Sequence, residues 1–138
     1  LWFWQMFDRS PIGLNLWLGM RFRCMLARHI FDHMGSGVRI YHGVELTYGY
    51  NLSVGDGAVI RQGALLSDRG GITIGKGAVI GSFARIFSHN YSPDNFERVT
   101  LKPTRIGTGA RVASHTIVLA GQDVAPGQAV GSFPVERS

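Results

Sequence analysis

Residues 54–60 read VGDGAVI, residues 74–80 read IGKGAVI and residues 106–112 read IGTGARV, three near copies of one pattern. Self-similarity of this kind marks an architecture made by stacking one small unit. Aligning the first letter of each copy and extending both ways gives an aliphatic column: Ile40, Leu46, Val54, Ile60, Leu66, Ile74, Ile80, Ile86, Ile106, Val112, Val118, Val124 and Val130. The steps are six residues except for two of eight and one of twenty, so a full turn takes 20 residues through the first coils. Three short strands per turn, each sending one aliphatic inward, make a triangular prism in which every coil pairs with the one below. The fold class read from this column is all-β, a parallel β-helix over residues 38–138.

The turns carry their own signal. Three residues after an aliphatic the chain places Gly43, Gly49, Gly57, Gly63, Gly77, Gly109, Gly121 and Gly127, where glycine enters a left-handed backbone without penalty. Ala58, Ala64, Ala78, Ala84 and Ala110 follow such positions, small enough for the inside of a corner. Arg69, Phe83, His89, His115 and Phe133 break the glycine rule. Non-glycine residues in a demanding turn are where strain or function is expected.

Ahead of the prism, Asn15 to His33 alternates Leu16, Leu18, Met20, Phe22, Leu26, Ile30 and Phe31 with Arg21, Arg23, Arg28 and Asp32, which predicts an amphipathic helix stopped by Gly35. Residues 1–37 are thus an apolar segment plus a helix capping the first coil. Its arginines and the upstream tryptophans argue for the alternative use, peripheral contact with a membrane surface. The opening LWFWQMF is broken by Asp8, Arg9, Ser10 and Pro11, far short of the ~20 residues a spanning helix needs. A cytoplasmic protein, in solution or at the membrane surface, is the expectation. Cys24 is the one cysteine and reads as a packed thiol.

An apolar fraction of 45% and a charged fraction of 17% exclude disorder, and the net charge of +5 comes from scattered arginines rather than a basic run. With no base-stacking module in view, no nucleic-acid partner is expected. The GKGAVIG stretch imitates a phosphate loop, but the glycine repeat already accounts for it and no strand-to-helix context follows. His29 and His33, four apart, lack the zincin glutamate and a third ligand, so no metal is expected there.

The repeat halts after Ile86 and resumes at Ile106, leaving Ser88 to Arg105 as an extruded loop containing SHNYSPDNFERVTLKP. Long loops on compact scaffolds are usually functional. His89 stands at the loop's first corner, on a rigid rung, where an imidazole is suited to take a proton from a hydroxyl or amine. Its other ring nitrogen needs an orienting partner, and the 20-residue coil sets Asp68 beneath Ser88 and Arg69 beneath His89. Asp68 is the nearest candidate carboxylate, with Asp94 and Glu97 as options inside the loop. The plainer reading of Asp68 is a polar turn that absorbs an eight-residue step.

The stretch GITIGKGAVIGSFARIFSHNYSPD followed by KPTRIGTGARVASHTIVLAG resembles the sugar O-acetyltransferases of the hexapeptide-repeat superfamily, the colanic-acid and the galactoside or maltose acetyltransferases in particular. The resemblance covers nearly everything from Val38 to Gly131. It implies a left-handed β-helix, a homotrimer with active sites between neighbouring prisms, and acetyl-CoA as co-substrate. It also implies direct acyl transfer to a saccharide hydroxyl, with His89 as general base. Ser114 matches the position whose backbone N–H holds the thioester carbonyl. Arg111 stands where family members often carry tryptophan. Arg111, Ser114 and Ser132 are the expected cofactor contacts, and Asn90, Tyr91 and Arg98 the expected acceptor contacts. Two other functions use the same prism. One is a non-catalytic hexapeptide-repeat scaffold. The other is a γ-class carbonic anhydrase, for which His42, His89 and His115 would be the only supply of zinc ligands.

Overall fold

The computed structural model describes residues 16–91 and 99–131, which form one helix and a left-handed parallel β-helix. Helix α1 (Leu16–Ile30) places Arg28 and His29 in its last turn, where cations suit the carbonyl end. Ala27 and, just past the helix, Phe31 are buried, with Leu26 and Ile30 packed against the same core. Arg23 is only 1% exposed and its Nε donates to the Ile40 carbonyl at 2.9 Å. The Cys24 thiol donates to the Val38 carbonyl at 3.1 Å, and burial pushes its pKa up. These contacts seat the helix on the first coil as the expected cap.

The helix stops earlier than expected and the prism starts earlier. His33–Met34 is already a strand, β1, paired in parallel with Ser53–Val54. Met34 falls six residues before Ile40 and extends the inward column with a residue that is not β-branched. His29 and His33 therefore do not share a helix face.

Sheet I stacks β1, β4 (Leu52–Val54), β7 (Ile72–Ile74), β12 (Thr104–Ile106) and β15 (Asp123–Val124). Sheet II stacks β2 (Arg39–Ile40), β5 (Val59–Ile60), β8 (Val79–Ile80), β13 (Arg111–Val112) and β16 (Ala129–Val130). Sheet III stacks β3 (Glu45–Leu46), β6 (Leu65–Ser67), β9 (Arg85–Phe87) and β14 (Ile117–Val118). All pairings within these sheets are parallel, and Ser53 opposite Thr73 confirms the 20-residue coil. Thr73 opposite Arg105 marks the insertion, and Arg105 opposite Asp123 shows a tighter last coil of three six-residue steps.

Every aliphatic of the column from Ile40 to Val124 is buried, and Val130 packs against them at the end. The three-residue strands of sheet I add a second inward residue each, Leu52, Ile72 and Thr104, which the six-residue step does not reveal. Coil spacing explains two glycines of each repeat separately. A Cβ on Gly75 would meet the Thr108 amide nitrogen at 2.6 Å, so that residue is glycine for close approach. Gly77 has open space but a φ of 68°, so it is glycine for conformation. Among the described non-glycine residues only Phe83 (φ 59°) and His115 (φ 63°) take a left-handed backbone. Arg69 does not, because the longer eight-residue step moves that conformation to Gly71 (φ 101°). His89 does not either, since it begins a strand. Phe133 lies outside the described residues.

The stretch read as a loop begins and ends as an antiparallel ribbon. β10 (His89–Tyr91) pairs with β11 (Val99–Leu101), His89 opposite Leu101 and Tyr91 opposite Val99. The ribbon leaves the prism at the corner between sheets III and I and returns into β12.

Candidate active site

The corner between sheets III and I differs from coil to coil. In the first coil it is Thr47–Asn51, in the second Ser67–Gly71, and in the third the ribbon emerges between Phe87 and Thr104. Its backbone polar groups are met largely by side chains. The fully buried Asp68 carboxylate accepts the amides of Tyr48 (2.8 Å), Gly49 (2.7 Å) and Asn51 (3.0 Å). Ser88, also fully buried, donates its hydroxyl to the Ser67 carbonyl at 2.6 Å and accepts the Gly70 amide at 2.8 Å. The Lys102 amide donates to the Ser88 carbonyl, and the Thr104 hydroxyl donates to the Phe87 carbonyl. Ser88 thereby ties the ribbon to the coil beneath, and the other two bonds tie the ends of the ribbon to each other.

His89 projects from this base, half-buried, with its ring edge-on to Phe87 at a centroid distance of 6.3 Å. Its Nδ1 lies 3.3 Å from the Ser67 hydroxyl, which in turn receives a hydrogen bond from Thr47 Oγ1 at 3.2 Å. The side chain against Nδ1 is therefore Ser67 and not Asp68. The carboxylate expected to orient the imidazole points instead into the coil below, where three amides would otherwise be buried without partners. The stacking of Asp68 under Ser88 is as expected, but the side chain serves the plainer role of closing an eight-residue step. Ser67 escaped the reading because Thr47 and Ser67 follow the inward Leu46 and Leu66, in a column of hydroxyls twenty residues apart that the aliphatic period passes over.

Ser114 lies on a different corner, between sheets II and III, where its amide has no hydrogen-bond partner among the described residues. Beside it, His115 donates its amide to the Ser82 carbonyl and stacks its ring on Phe83 at 5.4 Å. His115 is thus a hydrogen-bonded corner residue. Arg111 is exposed on sheet II, opposite Val79 and Ala129. One chain does not bring Ser114 or Arg111 to His89, because the whole of sheet III lies between the two corners. Asn90 is exposed on the ribbon beside His89. The Tyr91 side chain, Arg98 and Ser132 lie outside the described residues, as do Asp94 and Glu97. Among the described residues no three His, Cys, Asp or Glu side chains are grouped to hold a metal. His42 and His115 share the sheet II–III corner, one face away from His89.

The structure is similar to a hexapeptide-repeat acetyltransferase from Vibrio cholerae, with a TM-score of 0.69 and 21% identity across 95% of this chain and 82% of that one. The fold is that of the hexapeptide-repeat acetyltransferases. The same Vibrio protein is also known complexed with acetyl-CoA. A maltose O-acetyltransferase from Clostridium difficile gives a TM-score of 0.65 and 17% identity across 91% of this chain and 75% of that one. An N-acyltransferase from Bacillus cereus, in complex with dTDP-4-amino-4,6-dideoxyglucose and coenzyme A, gives 0.56 and 16% across 80% of this chain and 75% of that one. No family profile and no curated protein matches the chain.

Proposed function

We propose that this protein is a coenzyme A-dependent O-acyltransferase that moves an acetyl group from acetyl-CoA to a hydroxyl of a sugar or polysaccharide precursor. The observation that carries the reading is the seat of His89. Its imidazole stands at the base of the extruded ribbon, backed by Ser67, on a fold shared with a hexapeptide-repeat acetyltransferase and a maltose O-acetyltransferase. With Nδ1–H donating to Ser67 Oγ, Nε2 keeps its lone pair for the acceptor. As the acceptor oxygen attacks the thioester carbonyl, its proton passes to Nε2. The tetrahedral oxyanion is held by the Ser114 amide, the carbon–sulfur bond breaks, and the imidazolium returns the proton to the departing thiolate. No acyl-enzyme is needed.

This mechanism requires two chains at each site, because His89 and Ser114 flank sheet III from opposite corners. The face between them carries Ile117 and Leu119 at 56% and 64% exposure, apolar surface suited to burial against a neighbouring prism. A homotrimer closes such a ring of interfaces and sets His89 of one copy against Ser114 of the next. Arg111 and Ser132 are then the coenzyme contacts, and Asn90, Tyr91 and Arg98 the acceptor contacts. Purified protein given acetyl-CoA and a panel of glycosides releases free thiol, and His89→Ala lowers the rate by roughly 100-fold or more. Equal rates for the two proteins refute the assignment.

A further inference from the structure

The corner between sheets II and III is a glycine corner in its first two coils, with Gly43 at φ 76° and Gly63 at φ 73°. In the next two coils Phe83 and His115 take the same left-handed place. A bulky side chain there is an outlier, and such outliers collect at functional sites. The backbone does not call for either ring. The Phe83 amide donates to the Gln62 carbonyl and the His115 amide to the Ser82 carbonyl, just as the Gly63 amide donates to the His42 carbonyl. Nor does the core call for them, since Phe83 is 52% exposed and His115 is exposed too.

The rings are held in place all the same. They stack 10° from parallel with centroids at 5.4 Å, inside the range of favourable aromatic pairs. Phe83 lies over Gly63, where a Cβ would run into the ring. The pair is an apolar wall at the surface, already fixed, so a ligand that rests on it loses little to ordering.

The position of this wall is specific. Ser114 adjoins His115 in the chain, so the wall borders the amide assigned to the thioester oxyanion. Phe83 lies one coil earlier, in the coil of His89, at the other end of β9 (Arg85–Phe87). Six residues of nearly extended chain, up to about 20 Å, separate Phe83 from the His89 of its own copy. In the trimer proposed above, His89 of one copy meets Ser114 of the next, and Phe83 of that next copy stands level with the imidazole. The coenzyme contacts proposed there, Arg111 and Ser132, belong to the coil of Ser114 or come later in the chain, which leaves Phe83 on the acceptor side of the thioester. A pyranoside ring suits such a wall, because it has a face of C–H groups while its hydroxyls point to the rim.

We infer that the Phe83–His115 pair of one subunit is the acceptor platform for His89 of the next, with Phe83 taking the apolar face of a pyranoside ring. The inference rests on the acyl-transfer reading and goes beyond it by assigning acceptor affinity to Phe83.

The test is the steady-state rate of thiol release by the full chain, with acetyl-CoA and an accepted glycoside each varied in turn. Phe83→Gly and Phe83→Asn both suit the left-handed backbone and remove the ring, and both raise the glycoside KM about 10-fold. Their kcat and acetyl-CoA KM stay within about 2-fold of wild type, and Phe83→Tyr restores the glycoside KM. His115→Gly, which removes only the backing ring, raises it about 2-fold. Co-expressed His89→Ala and Phe83→Gly chains, assembled at random, show whether the two residues meet across subunits. About a quarter of their sites then join an intact His89 to an intact Phe83, so at low glycoside the mixture runs about 3-fold faster than Phe83→Gly alone. If Phe83 served the His89 of its own chain, the mixture would run at about half the Phe83→Gly rate. A wild type that releases no thiol refutes acyl transfer and this inference with it. An active wild type whose glycoside KM is unmoved by Phe83→Gly and Phe83→Asn refutes the inference alone. So does a shift confined to the acetyl-CoA KM, a loss that Phe83→Tyr does not rescue, or a mixture at half rate.

Discussion

Two corners of the same prism are closed by different means. Between sheets I and II the turns are near copies, with Gly57, Gly77 and Gly109 at φ 69°, 68° and 69° and a fully buried alanine after each. Their amides form a ladder of backbone bonds from coil to coil, Gly57 to Ser36, Gly77 to Asp56, Gly109 to Lys76 and Gly127 to Thr108. Between sheets III and I much of this work passes to side chains, and Asp68, Ser88 and Thr104 supply oxygens to the backbone. Where the backbone closes a turn by itself, the sequence is held to one pattern and has little room for anything else. Where side chains close it, the step length can change, a ribbon can be extruded, and an imidazole can be held at its base.

That contrast can be broken from either side. The largest stability effect belongs to Asp68→Ala, which leaves three amides without their acceptor at a cost of about 3 kcal/mol or more. The variant should melt well below wild type, whereas Asp68→Asn, keeping one acceptor oxygen, should lose less. Wild-type melting of Asp68→Ala would show that the side chains do not close the corner. Next comes Gly77→Val, which forces a β-branched residue into the left-handed region and costs about 2 kcal/mol. At Lys76, one residue away and exposed, Lys76→Val should cost well under 1 kcal/mol. Equal losses at 76 and 77 would mean that conformation does not explain the glycine. The smallest effect, ~1.4 kcal/mol in activation free energy, is assigned to Ser67→Ala. It lowers kcat about 10-fold at unchanged KM, and Ser67→Thr restores the rate by returning the hydroxyl. A fall that the threonine does not rescue would make Ser67 a packing residue only.

The aliphatic column made the prism legible because inward residues of a three-sided coil are few, regular and, from Ile40 on, all Ile, Leu or Val. Its first rung was missed because Met34 is not an Ile, Leu or Val, and the second inward residue of sheet I because Leu52 and Ile72 fall between the six-residue steps. The ribbon strands Val99–Leu101 and His89–Tyr91 were not legible as strands. Their pairing is antiparallel and spans an insertion without the repeat's period. At the candidate site, His89 is an exception to the glycine column for an unexpected reason. The residue departs from the turn conformation altogether and starts a strand. Stacking placed Asp68 under Ser88 but could not say which way the carboxylate turns. The unmet amides of Tyr48, Gly49 and Asn51 decide that, and they are visible only in three dimensions. Likewise, the separation of Ser114 from His89 by a whole face follows from counting corners, not residues.

The central claim is that the catalytic base sits at the side-chain-closed corner and not at a glycine-type corner, and two histidines test it side by side. The measurement is the initial rate of thiol release from acetyl-CoA, in the presence of an accepted glycoside, for wild type, His89→Ala and His115→Gly. The account predicts a loss of roughly 100-fold or more for His89→Ala with an unchanged melting temperature, and a rate within about 3-fold of wild type for His115→Gly. Equal losses in both variants, or a loss confined to His115→Gly, would contradict it.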